Sequence, residues 1–151
     1  MTHEYWMQFA LREAEKALAK GEVPIGAVVV MENRIIGRGH NLVETLQDAT
    51  AHAEMLAITA AAGTTASWRL EGATLYVTLE PCPMCSGALL LSRLSALVYG
   101  TEDARFGACG SVSNVIGTNP FGAPVDVVVG IKRNECQVLL QEFFKKLRQK
   151  S

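Results

Sequence analysis

Residues 78–90 read TLEPCPMCSGALL, two cysteines three positions apart at the mouth of an apolar run. The stretch before them, ATLYVTLE (73–80), has the apolar and β-branched density of a buried strand. The stretch after, PMCSGALLLSRL (83–94), reads as a helix with Pro83 in its first turn, where a missing N–H leaves no partner unpaired. SALVYG (95–100) is strand-like again. Cys82 therefore lies where a strand ends, and Cys85 lies one turn into the next helix.

Working outward, the same alternation continues. Thr2 can cap a helix in which Trp6, Phe9, Ala10, Ala14, Ala17 and Leu18 recur at helical spacing, and Gly21 stands where it would stop. IGAVVVMENRIIGRGHN (25–41) reads as two strands around a Glu32-Asn33 turn, the first apolar enough to be buried on both faces. AHAEMLAITAAAG (51–63) reads as a helix ending near Gly63. A glycine-rich loop (Gly107, Gly110, Gly117) precedes a strand in PVDVVVGI (124–131) and a final amphipathic helix from about Asn134, whose Val138, Leu139, Phe143 and Leu147 can face the core. The order predicts an α/β fold, a three-layer α/β/α sandwich around a mixed five-stranded sheet.

The chain has 151 residues, 49% of them hydrophobic, which suits one cored domain over 1–151 better than two. No apolar run approaches the roughly 18 residues of a membrane helix, and the charged N-terminus is unlike a signal peptide, so a cytoplasmic location without a membrane partner is expected. Four cysteines (Cys82, Cys85, Cys109, Cys136) are too few for a stapled secreted scaffold and read as reduced thiols. The net charge of -1 is uneven: residues 132–151 hold six Lys/Arg against two Glu, and residues 1–131 hold eight against thirteen Asp/Glu. A basic C-terminal helix is a weak pointer to an acidic partner, since a solvated face explains it as well.

A three-residue spacing lets the two sulfurs converge at a helix N-terminus, where the dipole favours thiolates. That geometry alone serves a redox dithiol, half of a structural zinc site or part of a catalytic one. TAHAEML (50–56) separates them, because it sets His52 and Glu54 at the start of another helix. Residues two apart on a regular helix point to nearly opposite sides, so His52 must sit in an irregular first turn, with Thr50 as the candidate cap. His52, Cys82 and Cys85 then make three protein ligands that select zinc and leave the fourth tetrahedral position to water. Glu54 remains as an unliganded carboxylate able to shuttle protons, in the pattern H-x-E…P-C-x-x-C of nucleobase deaminases. Cys109 is a poor fourth ligand but is not excluded by spacing alone.

At these residues the chain resembles the cytidine/deoxycytidylate deaminase superfamily, and within it the bacterial tRNA-specific adenosine deaminases. The matching stretches are EVPIGAVVV, GHN, DATAHAEMLAI, LYVTLEPCPMCSGAL, DARFGACGS and EFFKKLR. The resemblance implies one zinc ion on His52, Cys82 and Cys85, Glu54 as proton shuttle, and conversion of the wobble adenosine of a tRNA anticodon stem-loop to inosine. It further implies that Asn41 and the Ala53 backbone N–H hold the flipped base, that Asp103 and Phe144 contact the anticodon loop, and that the protein is a homodimer. Gly122-Ala123-Pro124 departs from the polar segment that many members resemble there. A deaminase of free bases or nucleosides, of guanine or cytosine type, is the alternative, with a non-enzymatic zinc or redox switch behind it.

Overall fold

In the computed structural model, which describes residues 1–150, the first layer begins with helix α1 (His3–Ala19). The Thr2 hydroxyl accepts from the Tyr5 N–H and caps it. Strands β1 (Gly26–Met31) and β2 (Arg34–His40) form a hairpin whose Glu32 and Asn33 both have positive φ, the twist that tight hairpins need. A helical turn α2 (Val43–Leu46) and helix α3 (Ala53–Thr65) follow, then β3 (Thr74–Leu79), α4 (Pro83–Leu91) and β4 (Ala96–Thr101). A 3₁₀ turn (Ile116–Thr118), edge strand β5 (Asp126–Val129) and helix α5 (Arg133–Lys150) complete the chain.

The sheet order is β2-β1-β3-β4-β5, with β1 antiparallel to both neighbours and β3, β4 and β5 parallel. The mixed five-stranded sandwich expected from the sequence is therefore the fold. Alternate residues of the central strands feed two cores. Ala27, Val29, Leu75, Val77 and Leu97 pack under α3 and α4, whereas Val28, Val30, Tyr76 and Val98 pack under Trp6, Met7 and Ala10 of α1. Helix α5 lies on the α1 side, with Cys136 buried where a Cβ on Gly100 of β4 would come within 2.3 Å of its sulfur.

Helix α3 is alanine-rich for a steric reason. A Cβ on Gly37 would stand 2.3 Å from the Ala57 carbonyl, and one on Gly39 would stand 2.4 Å from the Ala53 carbonyl. Backbone approaches this close leave room only for glycine on the strand and small residues on the helix. The seating matters because the N-terminus of α3 carries His52.

Several boundaries differ from the sequence reading. The α2 turn was not expected. Helix α3 runs past Gly63 to Thr65, because Ala66 rather than glycine takes the left-handed closing position. Helix α4 stops at Leu91, since Arg93 has positive φ and breaks it. On α5, Val138 (47% exposed) and Leu147 (54% exposed) do not face a core as the periodicity suggests. Its N-terminal part is tied down by Arg133 to Glu102 and by Gln137 to Thr101. No helix among the described residues is long and apolar enough to cross a membrane.

Candidate active site

The C-terminal end of β3 and the N-termini of α3 and α4 meet at one point. Cys82 occupies the N-cap of α4 with extended backbone, Pro83 fills the first helical position, and Cys85 follows within the first turn. His52 is itself the N-cap of α3, also extended. Neither side chain caps its own helix, so both are released toward each other. This solves the His52/Glu54 problem differently from the expected Thr50 cap. Thr50 instead turns back on Asp48, donating through N–H and hydroxyl to its carboxylate. His52 stands outside the helix and Glu54 inside it, so residues two apart share one site.

His52 Nδ1 lies 3.6 Å from Cys82 Sγ and 3.5 Å from Cys85 Sγ, and the three donor atoms fall within 4.8 Å of one another. A tetrahedral zinc with Zn–N near 2.0 Å and Zn–S near 2.3 Å separates such N and S atoms by about 3.5 Å. The donor set therefore fits the ion in chemistry and spacing. Cys82 is held down to about 4 by the hydrogen bond it receives from the Cys85 thiol and by His52, against burial that would raise it. Cys85 is pushed up by giving that hydrogen bond and by burial. Two sulfurs at the positive end of α4 thus share a proton that a cation would displace.

Glu54 is buried beside them (4% exposed), and burial lifts its carboxyl to about 7, despite the opposing pull of its own backbone N–H and of His52. A carboxyl balanced there can take and return protons near neutral pH. Asn41 is buried at the exit of β2, accepting from the Val43 N–H (3.2 Å) and donating to the Val23 carbonyl (3.4 Å). It opens onto the same cleft, of about 1000 Å³, that His52, Ala53, Glu54 and Cys82 line.

The far wall of the cleft comes from the loop after β4 and from α5. Asp103 accepts from the N–H groups of Arg105 (3.0 Å) and Phe106 (3.3 Å), so one carboxylate oxygen shapes its own turn. Phe144 is half-buried edge-on to Phe143, with the Arg105 guanidinium 5.9 Å from its ring centroid. Asn41, Ala53, Asp103 and Phe144, which the sequence singled out, all line this one cleft. Cys109 stands apart from the three donors, 3.5 Å from the Ser86 hydroxyl, and Cys136 is buried in the first turn of α5 against β4.

Two cleft residues escaped the sequence reading. Glu22 and Glu80 are buried carboxylates, each fastening a loop through backbone N–H groups. The available signal was an acid wedged between an apolar strand and a proline, LEP at 79–81, and an acid at the end of the first helical unit, GEVP at 21–24.

The MafB19-like deaminase family matches residues 1–148. The tRNA-specific adenosine deaminase of Bacillus subtilis (strain 168) is 51% identical over 147 residues, covering 97% of this chain and 91% of the relative. A solved structure from work on A-to-I editing by tRNA:A34 deaminases at the wobble position superposes with a TM-score of 0.85 and 40% identity, covering 90% of this chain and 99% of that one. A guanine deaminase of Nitrosomonas europaea shares the fold at 25% identity, with a TM-score of 0.80 over 93% of this chain and 83% of that one. With the family matched over residues 1–148 and half its residues shared with a tRNA-specific adenosine deaminase over almost the whole of both chains, the chain belongs to the MafB19-like deaminase family and to the tRNA-specific adenosine deaminases.

Proposed function

We propose that this chain, a single deaminase domain over residues 1–151, hydrolytically deaminates adenosine to inosine at the wobble position of a tRNA anticodon with the help of one zinc ion. The observation that carries the reading is the convergence of three zinc donors beside the buried Glu54 carboxyl, which shares one cleft with Asn41. His52, Cys82 and Cys85 would hold the ion. Zinc bound there supplies Lewis acidity, lowering the pKa of water from 15.7 toward about 7.

The remaining work falls to the chain. Asn41 and the Ala53 N–H orient a base that has left its stack, with the amino-bearing carbon toward Glu54. The Glu54 carboxylate accepts a proton from the attacking water and delivers it to the ring nitrogen beside that carbon. It then carries the second proton to the amino group, which leaves as ammonia while the carbon keeps the oxygen. Because the carboxyl is buried, bulk water does not intercept these protons.

The cleft supports a substrate larger than a base. It continues from Glu54 past Asp103 and Arg105 to Phe144 and Leu147 on α5, whose last turns carry Lys145, Lys146 and Lys150. Aromatic rings beside exposed cations suit a single-stranded loop, through stacking and phosphate contacts. Phe106 (59% exposed) and Val112 on the same loop favour a homodimer, since a second copy would remove them from water and widen the platform for a stem-loop. A tRNA substrate favours a cytoplasmic location. The likeness to a guanine deaminase supports the second reading, a free-base deaminase. Purified protein should form inosine in an anticodon stem-loop and release little ammonia from free guanine, cytosine or adenine. The reverse result hands the function to the free-base reading.

A further inference from the structure

Glu80 is 2% exposed and stands directly before Pro81 and Cys82, and its carboxylate bonds the loop after β4. Its Oε1 accepts from the Asp103 N–H (3.0 Å) and from the Ser111 hydroxyl. Its Oε2 accepts from the N–H groups of Cys109 (3.0 Å) and Ser111 (3.2 Å). Four donors thus converge on one buried carboxylate. The loop closes on this charge: the Ala108 N–H donates to the Pro81 carbonyl (2.9 Å), and a Cβ on Gly107 would meet the Glu80 carboxyl carbon at 2.4 Å. Residues 102–113 contain no helix or strand, and Asp103, Arg105 and Phe106 at its start form the cleft wall opposite Asn41. One buried anion therefore joins that wall to the strand end that bears Cys82.

We propose that Glu80 is a positioning residue for the nucleotides around the reacting base: its carboxylate sets the place of the Asp103–Phe106 wall relative to the zinc ligands and so tunes recognition of the loop rather than the chemical step. The inference rests on the tRNA reading above and assigns a further determinant to the same site. It also separates the two carboxylate oxygens. In Glu80→Gln, an amide NH2 at the Oε2 position would face two N–H donors, whereas at Oε1 it faces one, because the Ser111 hydroxyl can turn to accept. The amide therefore settles with NH2 toward Asp103, and the wall is released at that residue while Cys109 and Ser111 stay fastened.

The test compares wild type, Glu80→Gln and Ser111→Ala as zinc-loaded protein. Glu80→Gln should retain one zinc per chain and raise KM for an anticodon stem-loop by roughly tenfold, the size of one charge-assisted hydrogen bond, with kcat within about threefold. Amide exchange should accelerate at Asp103 and stay slow at Cys109 and Ser111. Ser111→Ala, which removes one neutral donor, should raise KM less and in the same direction, and it serves as the test if Glu80→Gln does not fold. A lowered Tm with KM unmoved would reduce Glu80 to a structural anchor and overturn the proposal. So would loss of zinc, a fall in kcat at constant KM, or unchanged exchange at Asp103. If wild type does not turn over the stem-loop, the tRNA reading falls, and the exchange pattern still decides whether Glu80 holds the wall.

Discussion

Gly39→Ala tests how α3 brings His52 and Glu54 to the zinc donors. The added Cβ would stand 2.4 Å from the Ala53 carbonyl oxygen and 2.6 Å from the Ala57 N–H nitrogen, whereas ordinary contact begins at 3.4 Å. The first turn of α3 and β2 must part by about 1 Å, the difference between 3.4 and 2.4 Å. Both neighbours are backbone and cannot swing aside as a side chain would. Overpacking of this kind costs about 1–3 kcal/mol, or about 3–10 °C in Tm for a domain of this size. The moved turn is the one that carries Ala53 and Glu54, so turnover should fall by on the order of 10²-fold, the usual cost of a 1 Å misplacement. Gly63→Ala is the control on the same helix. Its Cβ meets nothing within 4 Å, and alanine should stabilise α3 by roughly 0.5–1 kcal/mol without changing turnover. Thermal melts with zinc loaded, together with inosine formation on a stem-loop, read both variants. A Gly39→Ala protein with wild-type Tm and turnover would refute the seating of α3 on β2 and the account of how His52 is placed.

Glu54→Gln keeps the size of the side chain but cannot accept a proton; it should fold and bind one zinc while kcat drops by about 10²-fold or more, and loss of zinc would recast Glu54 as a ligand. Cys85→Ser should lose both metal and activity, whereas Cys109→Ser, outside the donor set, should keep the metal; metal analysis showing the opposite pattern would make the ligand set wrong. Glu22 accepts from the Glu44 and Thr45 N–H groups and from the Thr45 hydroxyl, which together hold its carboxyl below the ordinary value although burial pulls it up. A lowered folded pKa contributes stability that is present above about 4.5 and is lost as pH falls through the folded value. Glu22→Gln should therefore be less stable than wild type at pH 7, by roughly 1–3 kcal/mol, with the gap closing as acid protonates the folded carboxylate; a gap that persists in acid would show that the carboxylate charge is not what α2 needs.

Sequence alone determined what depends on local spacing. Strand and helix alternation follows from apolar periods two and three to four residues long, and Cys82 and Cys85 converge because three residues make about one helical turn. His52 and Glu54 were legible as an acid and a metal donor, and the flanking stretches carried the family. The way the two residues share a site was decided by the tertiary structure, since only the seating of α3 on Gly37 and Gly39 makes His52 the N-cap rather than a helical residue. Glu22 and Glu80 stayed illegible because their donors lie 22 to 31 residues away in sequence, where no periodicity links a carboxylate to the loop it holds. The exposed apolar face of α5 misled for the same reason. A helical stripe reports which residues share a face, and whether a sheet, a cleft or water meets that face is a long-range fact that only the packed chain decides.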